Sequence, residues 1–393
     1  MNILVIGNGF DLAHGLPTTY ADFMGFMYYF KIMNNSEYEN KEWVKKVERF
    51  KMLNPKVQEY LLSEKVKNKK DKLMNELYSI SPKNVWIKHL EKCIKENKLK
   101  GKNWIDFEYE ISEVIKGLDY TQKYLKERRK KGKEHQIDDM ELILKAENFL
   151  DLIGEIQGIE FQYNIFYDDF AKEIISLLNE DLNNLIRCLE IYLEYVVGEI
   201  DIKQRLPDIN EIKKIDKLIS FNYTDTFKKV YDENQNVECD YIHGKLNISE
   251  DITYNNMVLG IDEYLQGNEK KEELDFIEFK KYFQRIYKKT GCKYKYWLER
   301  AKVPKVRVSG ERKRNYSSFD NNIYIYGHSL DVTDKDILEE LVLFPRTQIR
   351  IFYYNKNDYA QKIKNMVALI GQYKLIDSVY GKNPTIIFEE IKK

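Results

Sequence analysis

The chain has 393 residues, long enough for two or three domains or for one domain with a large insertion. Its 64 Lys and Arg residues balance 64 Asp and Glu residues, so it lacks the uniform basic field that bulk nucleic-acid binding needs. No apolar run approaches the ~20 residues of a membrane span, the N-terminus lacks the features of a signal peptide, and the four cysteines are far apart with no C-x-x-C pair. We therefore expect a cytoplasmic protein with no membrane partner, no disulfide framework and no bound metal.

Both ends of the chain predict an α/β domain. Asn2–Ile6 is a short apolar run that ends in a glycine turn, which is typical of a buried strand. Further strands are predicted at Lys217–Phe221, Cys239–Ile242, Met257–Ile261, Asn322–Tyr326, Gln348–Tyr354 and Thr385–Phe388, separated by helices at Thr224–Asn234, Thr333–Leu343 and Asp358–Ile370. This alternation predicts the fold class α/β, a doubly wound, Rossmann-like parallel sheet assembled from residues 1–34 and 206–393.

Residues 35–205 predict a large α-helical insertion. They include a long stretch without proline, and apolar residues recur there at three- and four-residue spacing in Asn84–Asn97, Trp104–Leu118 and Phe161–Val197. The charged cluster Lys126–Lys133 is interpreted as an exposed connection between helices. A smaller helical and loop insertion is predicted at residues 265–315, with a basic loop at Lys305–Arg314.

The first motif with chemical potential follows the first strand. A strand that runs into a Gly-x-Gly turn leaves the backbone free to approach a pyrophosphate, with helix N–H groups directed at the anion. The third glycine of the nucleotide-binding fingerprint is absent, since Leu12 occupies its place, but Gly15 and Pro17 extend the pattern. The alternative is a tight turn with no ligand. The candidate cofactor-binding residues here are Gly7, Asn8, Gly9, Phe10, Asp11 and Gly15.

Two further motifs follow predicted strands and supply the candidate catalytic residues. Asn222, in S-F-N-Y-T, can hold a ribose hydroxyl or a water with its amide, or it can cap the next helix. His243, in Y-I-H-G, has the intrinsic pKa of a general base, and Gly244 beside it lets a substrate approach the backbone. His89 and His135 lie in lysine-rich sequence and are interpreted as solvated, whereas His14 is a candidate supporting group.

The fourth motif, Y-G-H-S-L-D, follows a later predicted strand. It suits contact with a ribose or a phosphate, and the candidate cofactor-binding residues are Gly327, His328, Ser329 and Asp331. The alternative is a cluster that caps the next helix through Asp331, Thr333 and Asp334. Because the carboxyl ends of parallel strands share one edge of a sheet, we expect the four motifs to converge on one cleft.

Taken in order, G-N-G-F-D-x-x-x-G-L-P, S-F-N-Y-T, Y-I-H-G and Y-G-H-S-L-D resemble the AbiH family of phage abortive-infection proteins and, more distantly, SIR2-like domains. The segment Trp104-Ile105-Asp106-Phe107-Glu108 also resembles an AbiH motif. The resemblance is strong at both ends of the chain and confined to that segment within residues 35–205.

Three departures from the SIR2-like pattern limit which SIR2-like activities the resemblance implies. The cysteine spacing does not provide the four-cysteine zinc module of sirtuin deacylases. Asp11 replaces the Ser that is usual after the glycine turn, and Thr224-Asp225 shifts the acidic residue expected directly after the Asn-x pair. A deacetylase is therefore disfavoured, whereas an NAD+ hydrolase needs neither the zinc module nor a peptide groove.

The resemblance implies an antiphage abortive-infection effector that hydrolyses NAD+, its substrate, at the nicotinamide–ribose bond, with no metal. Asn222 would hold the ribose hydroxyls and a water, and His243 would take the proton of that water. A phage-derived trigger and a homo-oligomer are the other implied partners. Two alternatives stay open: a nucleotide-binding sensor without hydrolysis, and a nuclease or nucleic-acid-binding effector that uses Lys305–Arg314 with Asp106 and Glu108.

Overall fold

A computed structural model describes residues 1–34, 42–67, 71–95, 106–131, 139–158, 169–248, 254–302 and 319–392. These residues pack as two compact units. The sheet unit contains Met1–Leu16, Asp201–Leu246 and Lys289–Lys393. The helical unit contains Pro17–Ile200 and Asn247–Lys288.

The sheet unit is built on a six-stranded sheet in which all neighbouring strands pair in parallel. Its strands are β1 (Asn2–Ile6), β2 (Lys217–Ser220), β3 (Glu238–Tyr241), β4 (Asn321–Tyr326), β5 (Thr347–Tyr353) and β6 (Ile386–Glu390). Their order is β3-β2-β1-β4-β5-β6, the order of the Rossmann fold. The predicted fold class, a doubly wound α/β sheet with a large helical insertion, is confirmed.

The helices of both units are, in chain order, α1 (Asn8–Ala13), α2 (Tyr20–Asn34), α3 (Glu48–Lys51), α4 (Pro55–Leu62), α5 (Lys72–Ile80), α6 (Val85–Lys95), α7 (Phe107–Lys131), α8 (Met140–Gln157), α9 (Asp169–Tyr192), α10 (Pro207–Asn210), α11 (Thr226–Tyr231), α12 (Glu269–Glu272), α13 (Lys281–Tyr287), α14 (Lys293–Lys302), α15 (Lys335–Val342), α16 (Lys356–Ile370) and α17 (Gln372–Tyr380). Single helical turns of other types lie at Glu42–Lys46, Glu64–Lys67, Leu193–Val197, Ile277–Phe279 and Val332–Asp334. Within the described ranges, no helix combines the length and the apolarity needed to cross a bilayer.

Alternation along β1 explains why the sheet is covered on both faces. Ile3 and Val5 belong to an apolar cluster with residues of α14, α15, α16 and α17. Leu4 and Ile6 belong to a second cluster with residues of α1, α10 and α11. Successive strand residues face opposite sides of a sheet, so a strand that is apolar at every position must be buried on both.

The helical unit is held together by apolar packing and by polar contacts that anchor the start of α6. The indole Nε1 of Trp86 donates to the carbonyl oxygen of Leu178 in α9 at 2.9 Å. The backbone N–H of Val85 donates to Asp181 Oδ2 at 2.7 Å, and Asn84 Nδ2 donates to the Asp181 carbonyl oxygen at 2.6 Å. Asp181 therefore satisfies an otherwise unpaired N–H group at the start of α6.

The strand predicted at Met257–Ile261 is wrong, although the segment is buried. Its pairing is limited to an isolated bridge between Ile261 and Lys280. The Gln284 side chain takes the place of a neighbouring strand, because its Oε1 accepts from the Leu259 N–H at 3.1 Å and its Nε2 donates to the Leu259 carbonyl oxygen at 3.2 Å. A buried apolar run shows that a segment lies in a core, but not that another strand pairs with it.

Other boundaries also differ from the sequence-based expectation. The cluster expected to connect helices at Lys126–Lys133 contains the end of α7, because Lys, Glu and Arg are good helix formers. By packing, α2 and residues 265–288 belong to the helical unit, whereas α14 belongs to the sheet unit. The Lys305–Arg314 loop, and Trp104 and Ile105 of the predicted motif, lie outside the described residues.

Candidate functional site

The candidate site lies in the sheet unit, where the strand order changes direction between β1 and β4. At this switch point an open α/β sheet binds ligands beyond the carboxyl ends of its strands. The turn after β1 here meets the loop after β4, since the Gly9 N–H donates to the Gly327 carbonyl oxygen at 2.8 Å. A Cβ added to Gly7 would lie 2.8 Å from His328 Cα, and one added to Gly9 would lie 2.8 Å from Gly327 Cα. These glycines allow two backbones to touch, and the Gly9 N–H is already used within the protein.

Asn222, the candidate after β2, binds the same turn. Its Nδ2 donates to the Gly7 carbonyl oxygen at 3.0 Å, and the residue is 6% exposed. The N-cap of α11 is Asp225. The capping alternative for Asn222 is therefore wrong, and its side chain fixes the position of the glycine turn.

Asp11 is a buried carboxylate in the same cluster. Thr224 Oγ1 donates to its Oδ2 at 2.6 Å, whereas its Oδ1 is buried without a well-formed hydrogen bond to a described residue. Burial raises the pKa of Asp11 from 3.8 to about 6, although the Thr224 and Thr226 hydroxyls and the Asn222 amide lower it in part. The carboxylate is therefore charged at neutral pH at an energetic cost, which is common at functional sites.

Two imidazoles, those of His243 and His328, face one carboxylate, that of Asp334. His243 Nε2 lies 3.0 Å from Asp334 Oδ1, and His328 Nε2 lies 3.5 Å from Asp334 Oδ2. The ring of Phe221 contacts both imidazoles edge-on, with centroid separations of 5.5 and 4.2 Å. All three polar side chains are largely buried. An ionised Asp334 accepts a hydrogen bond from His243 Nε2 and so selects one tautomer of the neutral ring.

The loop after β4 is held by α16 and by a hydrogen bond of its own. The Leu330 N–H donates to His328 Nδ1 at 2.9 Å, so a neutral His328 carries its proton on Nε2, towards the shared carboxylate. Lys362 Nζ donates to the His328 carbonyl oxygen at 2.7 Å, and Asn365 Nδ2 donates to the Ser329 carbonyl oxygen at 2.9 Å. Leu330 has φ of 62°, a conformation that costs a non-glycine residue ~1–2 kcal/mol. The surrounding contacts hold that strained residue in place.

Comparison with protein-family models matches residues 3–355 to the family described as bacteriophage abortive infection AbiH. The match covers most of the chain, including the switch point and the helical unit. The chain belongs to the AbiH family. Comparisons with curated proteins and with solved structures give no match. Membership places this AbiH protein among those of phage abortive infection and antiviral defence.

The structure gives several predicted cofactor-binding residues of this AbiH protein other contacts. Phe10 packs in the apolar core beneath the sheet, whereas Asn8 is exposed. Gly15 ends α1, since its N–H donates to the Leu12 carbonyl oxygen at 2.9 Å and its φ is 75°. Asp331 caps the turn at Val332–Asp334 by accepting from the Thr333 N–H at 3.2 Å, as the capping alternative predicts.

His14 and Gly244 support the backbone around the site of the AbiH protein. His14 Nδ1 lies 2.7 Å from the Phe10 carbonyl oxygen and Nε2 lies 3.0 Å from the Tyr231 hydroxyl, so the ring donates through Nδ1. Burial lowers the pKa of His14, which favours this neutral form. Gly244 has φ of 75° and donates its N–H to the Tyr241 carbonyl oxygen at 3.1 Å, directly after the candidate base.

The structure adds two contributors whose roles at the AbiH site were missed, Asp334 and Thr224. The sequence places Asp334 in a capping cluster, and it does occupy the N-cap position of α15, but its side chain contacts His243, 91 positions away in the chain. Thr224 was noted as a departure from the SIR2-like pattern, and the structure joins it to the other departure, Asp11. Within the described residues, the group that brings three metal-ligating atoms within 4.8 Å of one another lies in the helical unit and not here.

Proposed function

We propose that this AbiH protein is an antiphage effector that hydrolyses NAD+ at the nicotinamide–ribose bond in the bacterial cytoplasm and so depletes the infected cell. One observation carries the proposal: Asn222, bound to the Gly7 turn, and His243, bound to Asp334, both follow strands at the carboxyl edge of a Rossmann-type sheet. That edge is where such sheets bind dinucleotides. A phage-derived component would trigger the reaction, and self-association of the chain is part of the same proposal.

The reaction suits a site that has a base and an amide rather than a paired acid and nucleophile. As the bond between ribose C1′ and nicotinamide breaks, nicotinamide keeps the electron pair and leaves as a neutral molecule, so no acid has to protonate it. Water adds to the oxocarbenium-like C1′ and gives its proton to the His243 imidazole, which passes it to solvent. The products are nicotinamide, ADP-ribose and a proton.

Asn222 and Asp11 would position the ribose and the water. The Asn222 amide nitrogen donates to the Gly7 carbonyl oxygen and interacts with the Asp11 carboxylate. The amide oxygen is then the atom that can accept from a ribose hydroxyl or from the water. Asp11 acts through Asn222 in this scheme and is a positioning residue.

The test incubates the purified full-length protein with NAD+ and quantifies nicotinamide and ADP-ribose by mass spectrometry. The same measurement is made in expressing cells with and without phage infection. We expect equal release of both products, a fall of ~10²–10⁴-fold for His243→Ala with nucleotide binding retained, and a fall for Asn222→Ala. Asp225→Asn is the matched control, since Asp225 is half-exposed and paired with Lys229 at 2.9 Å. Unchanged NAD+ consumption by His243→Ala would overturn the proposal.

The same experiment separates the two alternatives. Nucleotide that binds without turnover, in infected cells as well as in purified protein, would select the sensor. Divalent-dependent cleavage of DNA or RNA would select the nuclease, which gains no support from the acids proposed for it. Asp106 accepts from the Tyr109 N–H at 3.0 Å at the start of α7, and Glu108 is paired with Lys281 at 2.7 Å.

A further inference from the structure

The helical unit brings an imidazole, a thiol and a carboxylate together between α6 and α7. His89 and Cys93 are four residues apart on α6, so they share one face of that helix. Glu110 lies in the first turn of α7. The Cys93 Sγ lies 3.6 Å from His89 Nε2 and 3.4 Å from Glu110 Oε2, and these nitrogen and oxygen atoms are 4.0 Å apart.

These separations fit a tetrahedral metal ion. Ligand atoms that lie ~2.0–2.3 Å from such an ion are ~3.4–3.6 Å apart, so two of the three observed distances already agree. The third, between His89 Nε2 and Glu110 Oε2, would have to shorten by about 0.6 Å. The three residue types are also those that bind Zn²⁺ in proteins, as thiolate, imidazole and carboxylate. Hydrogen bonding alone explains the two contacts of Cys93 Sγ, but it does not require the ligand atoms of all three residues to converge on one point.

The three side chains of the cluster are largely shielded from solvent. Cys93 is 1% exposed, and the side chains of His89 and Glu110 are each 15% exposed. The His89 ring packs edge-on against Phe149 of α8 with a centroid separation of 5.1 Å, which fixes its plane. The interpretation of His89 as a solvated residue is therefore wrong, since its ring is packed within the helical unit.

We propose that His89, Cys93 and Glu110 bind one Zn²⁺ ion, with water in the fourth position, and that the ion joins the start of α7 to α6. Without the ion, the Cys93 thiol donates to the Glu110 carboxylate. Zn²⁺ replaces that thiol proton, which passes to solvent, so binding releases a proton and weakens as the pH falls. The site is independent of the NAD+ hydrolysis proposed for the sheet unit, and no redox step is involved.

The test uses the full-length protein, stripped with a chelator, reloaded with Zn²⁺ or Co²⁺ and desalted. We expect about one zinc per chain by elemental mass spectrometry, a higher Tm with zinc, and a thiolate-to-cobalt charge-transfer band in the near ultraviolet. Cys93→Ser should abolish the band, whereas Cys292→Ser, the matched control at an exposed thiol, should keep it. His89→Gln and Glu110→Gln should each weaken zinc binding by more than ~10-fold, since even groups that only support ligands cost ~10–100-fold.

Circular dichroism on every variant separates loss of a ligand from loss of the fold. If Cys93→Ser does not fold, the two glutamine variants at the partly exposed positions decide the question. Wild-type protein that folds but neither retains zinc nor gives the thiolate–cobalt band would overturn the proposal. So would unchanged zinc affinity in folded His89→Gln and Glu110→Gln.

Discussion

Asp11→Asn tests whether a charge is buried at the switch point. Burial raises the pKa of Asp11 from 3.8 to about 6, so the folded state holds the proton more tightly than the unfolded state does. The stability that the proton provides is present below about pH 4 and is lost as the pH rises through about 6. A shift of about two pKa units, at ~1.4 kcal/mol each, corresponds to ~3 kcal/mol in the free energy of unfolding. Asn keeps the shape of the side chain without the charge. The free energy of unfolding of Asp11→Asn, relative to that of wild type, should therefore rise by ~3 kcal/mol between about pH 4 and about pH 7.5.

The assay is urea unfolding of both proteins at several pH values, with the difference between them taken at each pH. That difference cancels the titrations that the two proteins share. Asp225→Asn, whose side chain is 43% exposed and lies in the same turn as Thr224, is the comparison variant. It should show a smaller difference in the same direction, because the Asp225 charge adds to the raised pKa of Asp11. A flat difference for Asp11→Asn would refute the argument. The stabilised variant should also lose NAD+ turnover, because functional sites commonly sacrifice stability for activity.

Three further predictions test the packing and the electrostatics. Gly327→Ala should lower the Tm far more than Gly15→Ala, because a Cβ at position 327 would lie 2.2 Å from a backbone nitrogen of α1. A Cβ at position 15 meets open space, so Gly15→Ala should cost only the ~1–2 kcal/mol of placing a non-glycine residue at a positive φ. Gln284→Ala should cost ~1–3 kcal/mol in urea unfolding, because it leaves the buried Leu259 backbone groups unpaired. Asp334→Asn should lower NAD+ turnover by ~10²–10⁴-fold in a pH–rate series while the fold persists, and an unchanged profile would contradict its role.

The sequence predicted most of the sheet because of how parallel strands are buried. A central strand between two helical layers must be apolar at every position, and Asn2–Ile6 and Asn322–Tyr326 meet that condition over most of their length. The same rule misassigned Met257–Ile261, which is equally apolar. Its backbone is satisfied by the Gln284 side chain from a helix, and no local pattern reveals such a partner.

The residues at the strand ends could be predicted, but their partners could not. Asn222 and His243 were found because the chain order of strands, turns and helices brings strand ends to one edge of the sheet. Asp334 could equally cap a helix, as Asp331 does, and only the folded chain turns it towards two imidazoles. Capping and ion pairing use the same residue type, so the sequence cannot separate them.

The zinc site proposed here shows the same limit in the helical unit. Helical periodicity places His89 and Cys93 on one face of α6, which the sequence alone can show. The third member, Glu110, belongs to another helix, and periodicity does not determine which faces of two helices meet. Paired cysteines are the sequence pattern of many metal sites, and a site made of one histidine, one cysteine and one glutamate lacks that pattern.

The two departures from the SIR2-like pattern near the glycine turn become one feature in the folded chain. Asp11 stands where that pattern has Ser, and the acid expected directly after the Asn-x pair is shifted to Asp225, which leaves Thr224 in its place. In the folded chain the Thr224 hydroxyl donates to Asp11 Oδ2 at 2.6 Å, and the Asn222 amide also partly lowers the pKa of Asp11 that burial raises. The two departures therefore supply one buried acid and one hydroxyl beside Asn222, and this arrangement supports the positioning role proposed for Asp11.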